Sequence, residues 1–394
     1  MLHATPPRRR PLRNLRALAC VLTATLAAAS TTGCGDASSG GGAAAGPDAA
    51  GPYPPASTTI VLTDAARGRS LTVEVWYPAV AGARAAAERG APVESFLASA
   101  DDRARYADLL AASPDPGPSR RTGAARDATP AGARDGYPLL VFSHCFQCFR
   151  FSSFSIAERL ASHGFVVAAP DHAGDTLFDA TLPLTTDVLQ IRAADVRFVA
   201  SALLAGMDGA ERLPASLRGA LDARRVGVFG HSFGSVTTGL VLQDDARFVA
   251  GLGIAAPFEN PLLTGVAMSR ITKPALFLVA REDNSIGEIG NQFIRLNFDQ
   301  APGPIRKVEV TDAGHWSFSD ICHLGDNFEA GCGAGVRQTV PGEPFSYLPI
   351  DRGIAIGQAY VTAFFLAELQ GDEAARDYST TAQPADVVSV AARN

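Results

Sequence analysis

Six short apolar runs dominate the middle of the sequence: YPLLVFSH (137–144), FVVAAPDH (165–172), RRVGVFG (224–230), FVAGLGIAA (248–256), PALFLVA (274–280) and IRKVEVTD (305–312). They are nearly continuous in apolar character, the pattern of strands buried on both faces. Helical segments lie between several of them. SSFSIAERLASHG is closed by Gly164, and TTDVLQIRAADVRFVASALLAG carries Val188, Ile191, Val196, Val199 and Leu203 near helical spacing. A last helix is read at 353–371. Strands alternating with helices predict an α/β fold with a mostly parallel sheet covered on both sides. In such sheets ligands gather at the carboxyl ends of the strands. The residues just after each run therefore carry the functional reading.

After RRVGVFG the chain continues Gly230-His231-Ser232-Phe233-Gly234 and then becomes helical. Two glycines around a serine at a strand-to-helix turn allow the tight backbone that exposes a nucleophile. The helix N-terminus that follows favours developing negative charge. After PALFLVA comes Arg281-Glu282-Asp283, and after KVEVTDA comes Gly314-His315-Trp316. Serine, acid and histidine in this chain order, each at a strand end, match the order of the α/β-hydrolases. Ser232 is thus expected as nucleophile, His315 as base and Asp283 as the acid that orients it. His323, beside Cys322 in a loop, is the rival base, and Glu282 and Glu259 are the rival acids. His172 and His231 read as structural. The amide of Phe233 is one expected oxyanion donor, and the other should come from the loop after LLVFSH.

The ends and the cysteines speak to compartment. Residues 1–33 hold five arginines, no acid and an apolar stretch too short to span a bilayer. This reads as a signal peptide, and the small residue before Cys34 gives it a lipoprotein character, with Cys34 lipidated after cleavage. Residues 34–57 read as a Gly/Ala/Ser/Pro linker, and 58–394 as one domain with insertions at about 80–136 and 317–352. The first insertion is expected on the surface with a short helix; the second, rich in glycine, as a rim or lid. The net charge of −6 argues against nucleic acid as a partner. Once Cys20 and Cys34 are set aside with the signal, Cys145, Cys148, Cys322 and Cys332 remain. An exported chain would form two disulfides from them, with Cys145–Cys148 and Cys322–Cys332 the preferred pairing of three. A zinc site fits the spacing less well, and no metal, cofactor or protein partner is expected. No Gly-x-Gly-x-x-Gly follows the first core strand to suggest a dinucleotide.

Taken together, VEVWYPA, YPLLVFSH, RFSSFSIAERLASHGFVVAAPDHAGDT, ADVRFVASALL, VGVFGHSFG and YVTAFFLAELQGD resemble the bacterial dienelactone-hydrolase-like lipoproteins. These are kin of platelet-activating-factor acetylhydrolase and, more distantly, of cutinases and polyester hydrolases. The resemblance spans nearly all of residues 58–372. It implies an α/β-hydrolase fold and metal-free hydrolysis of carboxylic esters, and it gives the second oxyanion amide to Phe146. The sequence departs from the family where the usual His-Gly becomes His144-Cys145. Either a Cys145–Cys148 disulfide fixes the loop in place of the glycine's geometry, or the amide of Cys145 itself is the donor.

Phe142, Phe146, Phe149, Phe151, Phe154, Phe233, Phe258, Trp316 and Phe318 crowd the expected mouth. Many are core residues on composition alone. Phe146, Phe233 and Trp316, with Cys145 beside them, are the candidates for contact with substrate, a small-molecule or lipid ester of short or medium chain or with an aromatic acyl group. Acyl transfer or peptide hydrolysis on the same triad, and an inactive surface-tethered binding module, are the alternative functions.

Overall fold

The computed structural model describes residues 45–113, 121–206, 213–325 and 328–394. The expected signal peptide, Cys34 and the linker up to residue 44 lie outside the described residues. A ten-stranded sheet forms the centre. Its strands are β1 (Pro55–Asp64), β2 (Arg69–Pro78), β3 (Ala125–Arg126), β4 (Tyr137–Ser143), β5 (Val166–Pro170), β6 (Leu221–His231), β7 (Phe248–Ile254), β8 (Ala275–Ala280), β9 (Ile305–Val310) and β10 (Val388–Arg393). They lie in the order β10-β9-β8-β7-β6-β4-β5-β2-β1-β3. The six strands from β4 to β9 pair in parallel, as their continuous apolar runs require. β2 joins antiparallel to β5 and β1, and β10 antiparallel to β9. This is the α/β-hydrolase arrangement.

Side-chain alternation divides each strand between two cores. Leu140, Phe142, Phe229, Leu276 and Leu278 face one, under α2 (Phe154–Ser162) and α6 (Ile350–Gln370). Leu139, Val141, Val226, Val228, Phe277 and Val279 face the other, under α3 (Thr186–Ala205), α4 (Phe233–Asp244) and α5 (Gly287–Gln300). α3 begins where Thr185 accepts a bond from Val188 N and ends at left-handed Gly206.

Two sequence expectations change, and two elements went unread. The linker does not run to residue 57, because Pro55–Ser57 already pair in β1 and the Gly51 amide donates to Ser162 Oγ at 2.9 Å. The 80–136 insertion is not confined to the surface. Its helix α1 (Ala100–Ala112), capped by Ser99, buries Tyr106 and Leu110, and Phe96 stacks on Phe151 with ring centroids 4.9 Å apart. Helix α5 and strand β10 were not foreseen at all. α5 has glycines at 287 and 290 and no side-chain cap, and β10 adds only six residues at the sheet edge.

Asp320, just beyond β9, reaches across to α2. Its Oδ2 accepts the amide and hydroxyl of Ser155 at 2.9 and 3.0 Å. Burial pushes this carboxyl up to about 7 against the pull of those two donors; burial likewise raises Glu158, with the nearby Asp320 adding to it. The folded pKa lies above the unfolded one, so the stabilisation is complete below about pH 4 and is lost as pH rises through 7. Asp320→Asn keeps an acceptor for Ser155 and removes this dependence. Urea unfolding at pH 5 and pH 8 should show wild type losing on the order of 1–3 kcal/mol more than the variant between the two. An equal loss in both would refute the assignment.

Candidate active site

Ser232 sits between β6 and α4 with φ +57° and ψ −118°, a strained backbone for a residue with a Cβ. Its amide donates to Ile254 O at 2.9 Å, which fixes the turn against β7. A Cβ on Gly230 would collide with the carbonyl of Gly234, and one on Gly234 with the carbonyl of Ser143. The two glycines are therefore what lets the first turn of α4 press against the end of β4. Ser232 remains partly accessible while its neighbours are buried.

His315 follows β9 and is 1% exposed. Its Nδ1 lies 2.8 Å from Asp283 Oδ2 and 3.1 Å from Oδ1. The Asp283 carboxylate is fully buried, and its Oδ1 accepts the amides of Ser285 and Ile286 at 3.0 Å each. A carboxylate on Nδ1 selects the tautomer whose Nε2 is free to accept a proton. His231, beside Ser232, donates from Nε2 to the carbonyl of His315 at 2.8 Å, and the two rings stand 4.9 Å apart. Burial and the neighbouring His315 hold His231 well below the ordinary histidine range. It thus ties the serine turn to the histidine loop as a neutral strut.

The rivals are committed elsewhere. Glu282 accepts from Arg337, Thr339 and the Gln338 amide, and Glu259 accepts from the Met268 amide. His172 bridges Ser143 Oγ and Asp195 at 3.0 and 3.1 Å, inside the protein. His323 lies in the loop that follows His315, with its own amide bonded to Phe328 O.

The loop after β4 turns at Gln147, which has φ +52°. Cys145 and Cys148 are joined, as are Cys322 and Cys332, the sequence-local pairing. The amide of Gln147 donates to Asp175 and that of Cys148 to Cys145 O, while the Phe146 amide has no acceptor among the described residues. Phe233 opens α4, where the first N–H groups have no helical acceptor.

A cleft of about 280 Å³ opens on Ser232. Phe146, Phe233, Leu184, Val236 and residues of the 256–263 segment line it together with Ile286, Ile289 and Phe293 of the α5 region. None of the described residues lining it carries a charge. Three expectations fail here. Trp316 does not line the cleft; its indole packs edge-on against His315 at 4.5 Å and against Phe328 at 5.1 Å, 6% exposed. Cys145 is fully buried in its disulfide. None of the described residues of the 317–352 segment lines the cleft either. The segment binds behind the acid, through Arg337 and Thr339 to Glu282 and through Tyr347 to Asn284. The actual rim, Leu262 and Ile289, was missed because isolated exposed apolar residues carry no sequence signal.

Gly234→Ala should destabilise the fold by roughly 3 kcal/mol or more, since backbone cannot yield as a side chain can. Soluble yield and the urea midpoint would report it; a wild-type midpoint would contradict the contact.

A model of the family "Platelet-activating factor acetylhydrolase, isoform II" matches residues 44–185 and 208–323. Platelet-activating factor acetylhydrolase of Cavia porcellus is 30% identical over 227 residues, 49% of this chain and 50% of that protein. The Canis lupus familiaris enzyme is 25% identical over 263 residues, 57% and 56%. The chain thus spans about half the length of these curated relatives. Among solved structures, a ferulic acid esterase from Streptomyces cinnamoneus superposes with a TM-score of 0.61 at 27% identity, covering 81% of this chain and 91% of that one.

Proposed function

The chain belongs to the platelet-activating factor acetylhydrolase isoform II family, and on that premise we propose that it is an exported serine hydrolase of carboxylic esters. The observation that carries the reading is the Asp283–His315 hydrogen bond at 2.8 Å, held by the neighbouring strut of His231 beside a strained, accessible Ser232. In this mechanism His315 Nε2 takes the proton of Ser232 Oγ as the oxygen attacks the ester carbonyl. Asp283 holds the ring and stabilises the imidazolium. The amides of Phe233 and Phe146 receive the oxyanion. Collapse expels the alcohol, which takes its proton from His315, and water then releases the acid from the acyl-enzyme through the same histidine.

The uncharged, largely apolar cleft favours a neutral acyl group of short or medium length or an aromatic one. The two disulfides support an oxidising compartment. Among the described residues no helix is long and apolar enough to cross a membrane. Tethering through lipidation of Cys34 is part of this proposal.

Purified protein is expected to hydrolyse p-nitrophenyl acetate, butyrate and octanoate with a clear optimum in chain length. Ser232→Ala should lower kcat by at least about 10⁴-fold, and Asp283→Asn by about 10⁴-fold through loss of the correct tautomer. A Ser232→Ala protein as active as wild type would sink the proposal.

A further inference from the structure

Arg192, on α3, is fully buried and makes an ion pair with Asp175 at 2.7 Å. Few of its bonds serve the helix it comes from. Nη2 donates to His144 O and to Ser143 Oγ, the latter at 3.1 Å, and Nη1 reaches Cys145 O at 3.5 Å. The guanidinium also lies over the ring of Phe233, 4.5 Å from its centroid. Asp175 uses its second oxygen to accept the Gln147 amide at 2.8 Å. The pair therefore grips the backbone just before and just after Phe146.

Peptide geometry gives this grip a direction. The carbonyl of Cys145 and the N–H of Phe146 belong to one planar trans unit and point opposite ways. That carbonyl accepts from His144 Nδ1 at 2.7 Å, from Cys148 N at 3.3 Å and from Arg192. His144 Nε2 in turn accepts the His172 amide at 3.1 Å, so its proton is fixed on Nδ1. Donors crowded on the inner side of the peptide unit turn its N–H outward, toward the cleft that Phe146 lines.

We propose that the buried Arg192–Asp175 pair is a positioning unit that aims the Phe146 amide and seats Phe233, so that the two oxyanion donors converge. It rests on the ester-hydrolase reading of Ser232. Arg192 touches no reacting atom; its effect is carried by the loop.

The test is Arg192→Lys, which keeps the charge but cannot reach Asp175, Ser143 and two carbonyls at once while also lying over the ring of Phe233. A deleted oxyanion donor costs roughly a hundred- to a thousandfold; one that is misaimed should cost about ten- to a hundredfold in kcat, with KM within about twofold. A trifluoromethyl ketone, whose adduct with Ser232 carries the same oxyanion, should weaken by the same factor as kcat/KM falls. A merely structural role would lower the thermal midpoint and leave that affinity alone. Asp175→Asn, which retains the acceptor for Gln147, serves if the lysine variant does not fold, with a smaller loss of the same kind. Folded variants with wild-type kcat and inhibitor affinity overturn this inference alone. A wild type without turnover overturns the ester-hydrolase reading and this inference with it.

Discussion

The site depends on how closely two pieces of main chain approach each other. The first turn of α4 lies against the carbonyl of Ser143 at the end of β4, a separation that only Gly234 permits. That contact holds Ser232 at positive φ and sets the loop carrying Phe146 beside the helix that begins with Phe233. No side chain could mediate it. The strain at Ser232 is borne by packing on both sides of the sheet, where β4 and β6 are neighbours and nearly every apolar residue is buried.

Around this contact, the charged groups are handled in two different ways. Asp283 is surrounded by donors, two amides and a histidine, and so remains an acceptor in a dry setting. Arg192 and Asp175 are buried as a pair, and burial acts on each against its charged form while the partner restores it. The first arrangement suits a group that must answer a proton moving nearby. The second suits a fixed bracket.

Much of this was legible in the sequence. Continuous apolar runs gave six parallel strands, and Ser232, Asp283 and His315 could each be placed at a strand end because short-range pattern determines where a strand stops. Helix α5 was not legible, since its two glycines and missing cap hide a real stripe of Ile294, Asn297 and Phe298. Trp316 was assigned to the cleft because it adjoins His315, although adjacent residues point in different directions and its indole turns inward. Arg192 carried no signal of its role. Its partners lie 17 to 49 positions away, and no local pattern records such pairings.

The disulfide-bonded segment after His315 packs behind the acid, not across the opening. On the proposed ester-hydrolase reading, support and selectivity then fall to separate parts of the chain. Cys322–Cys332 and the Arg337 contacts brace the machinery from the rear, while Leu184, Leu262 and Ile289, from 50% to 84% exposed, frame the entrance with hardly any structural duty. Residues with so little to hold up can be exchanged at small cost to the fold. Descendants of this scaffold could therefore acquire new substrates by altering the doorway alone, leaving the hinge and frame behind it untouched.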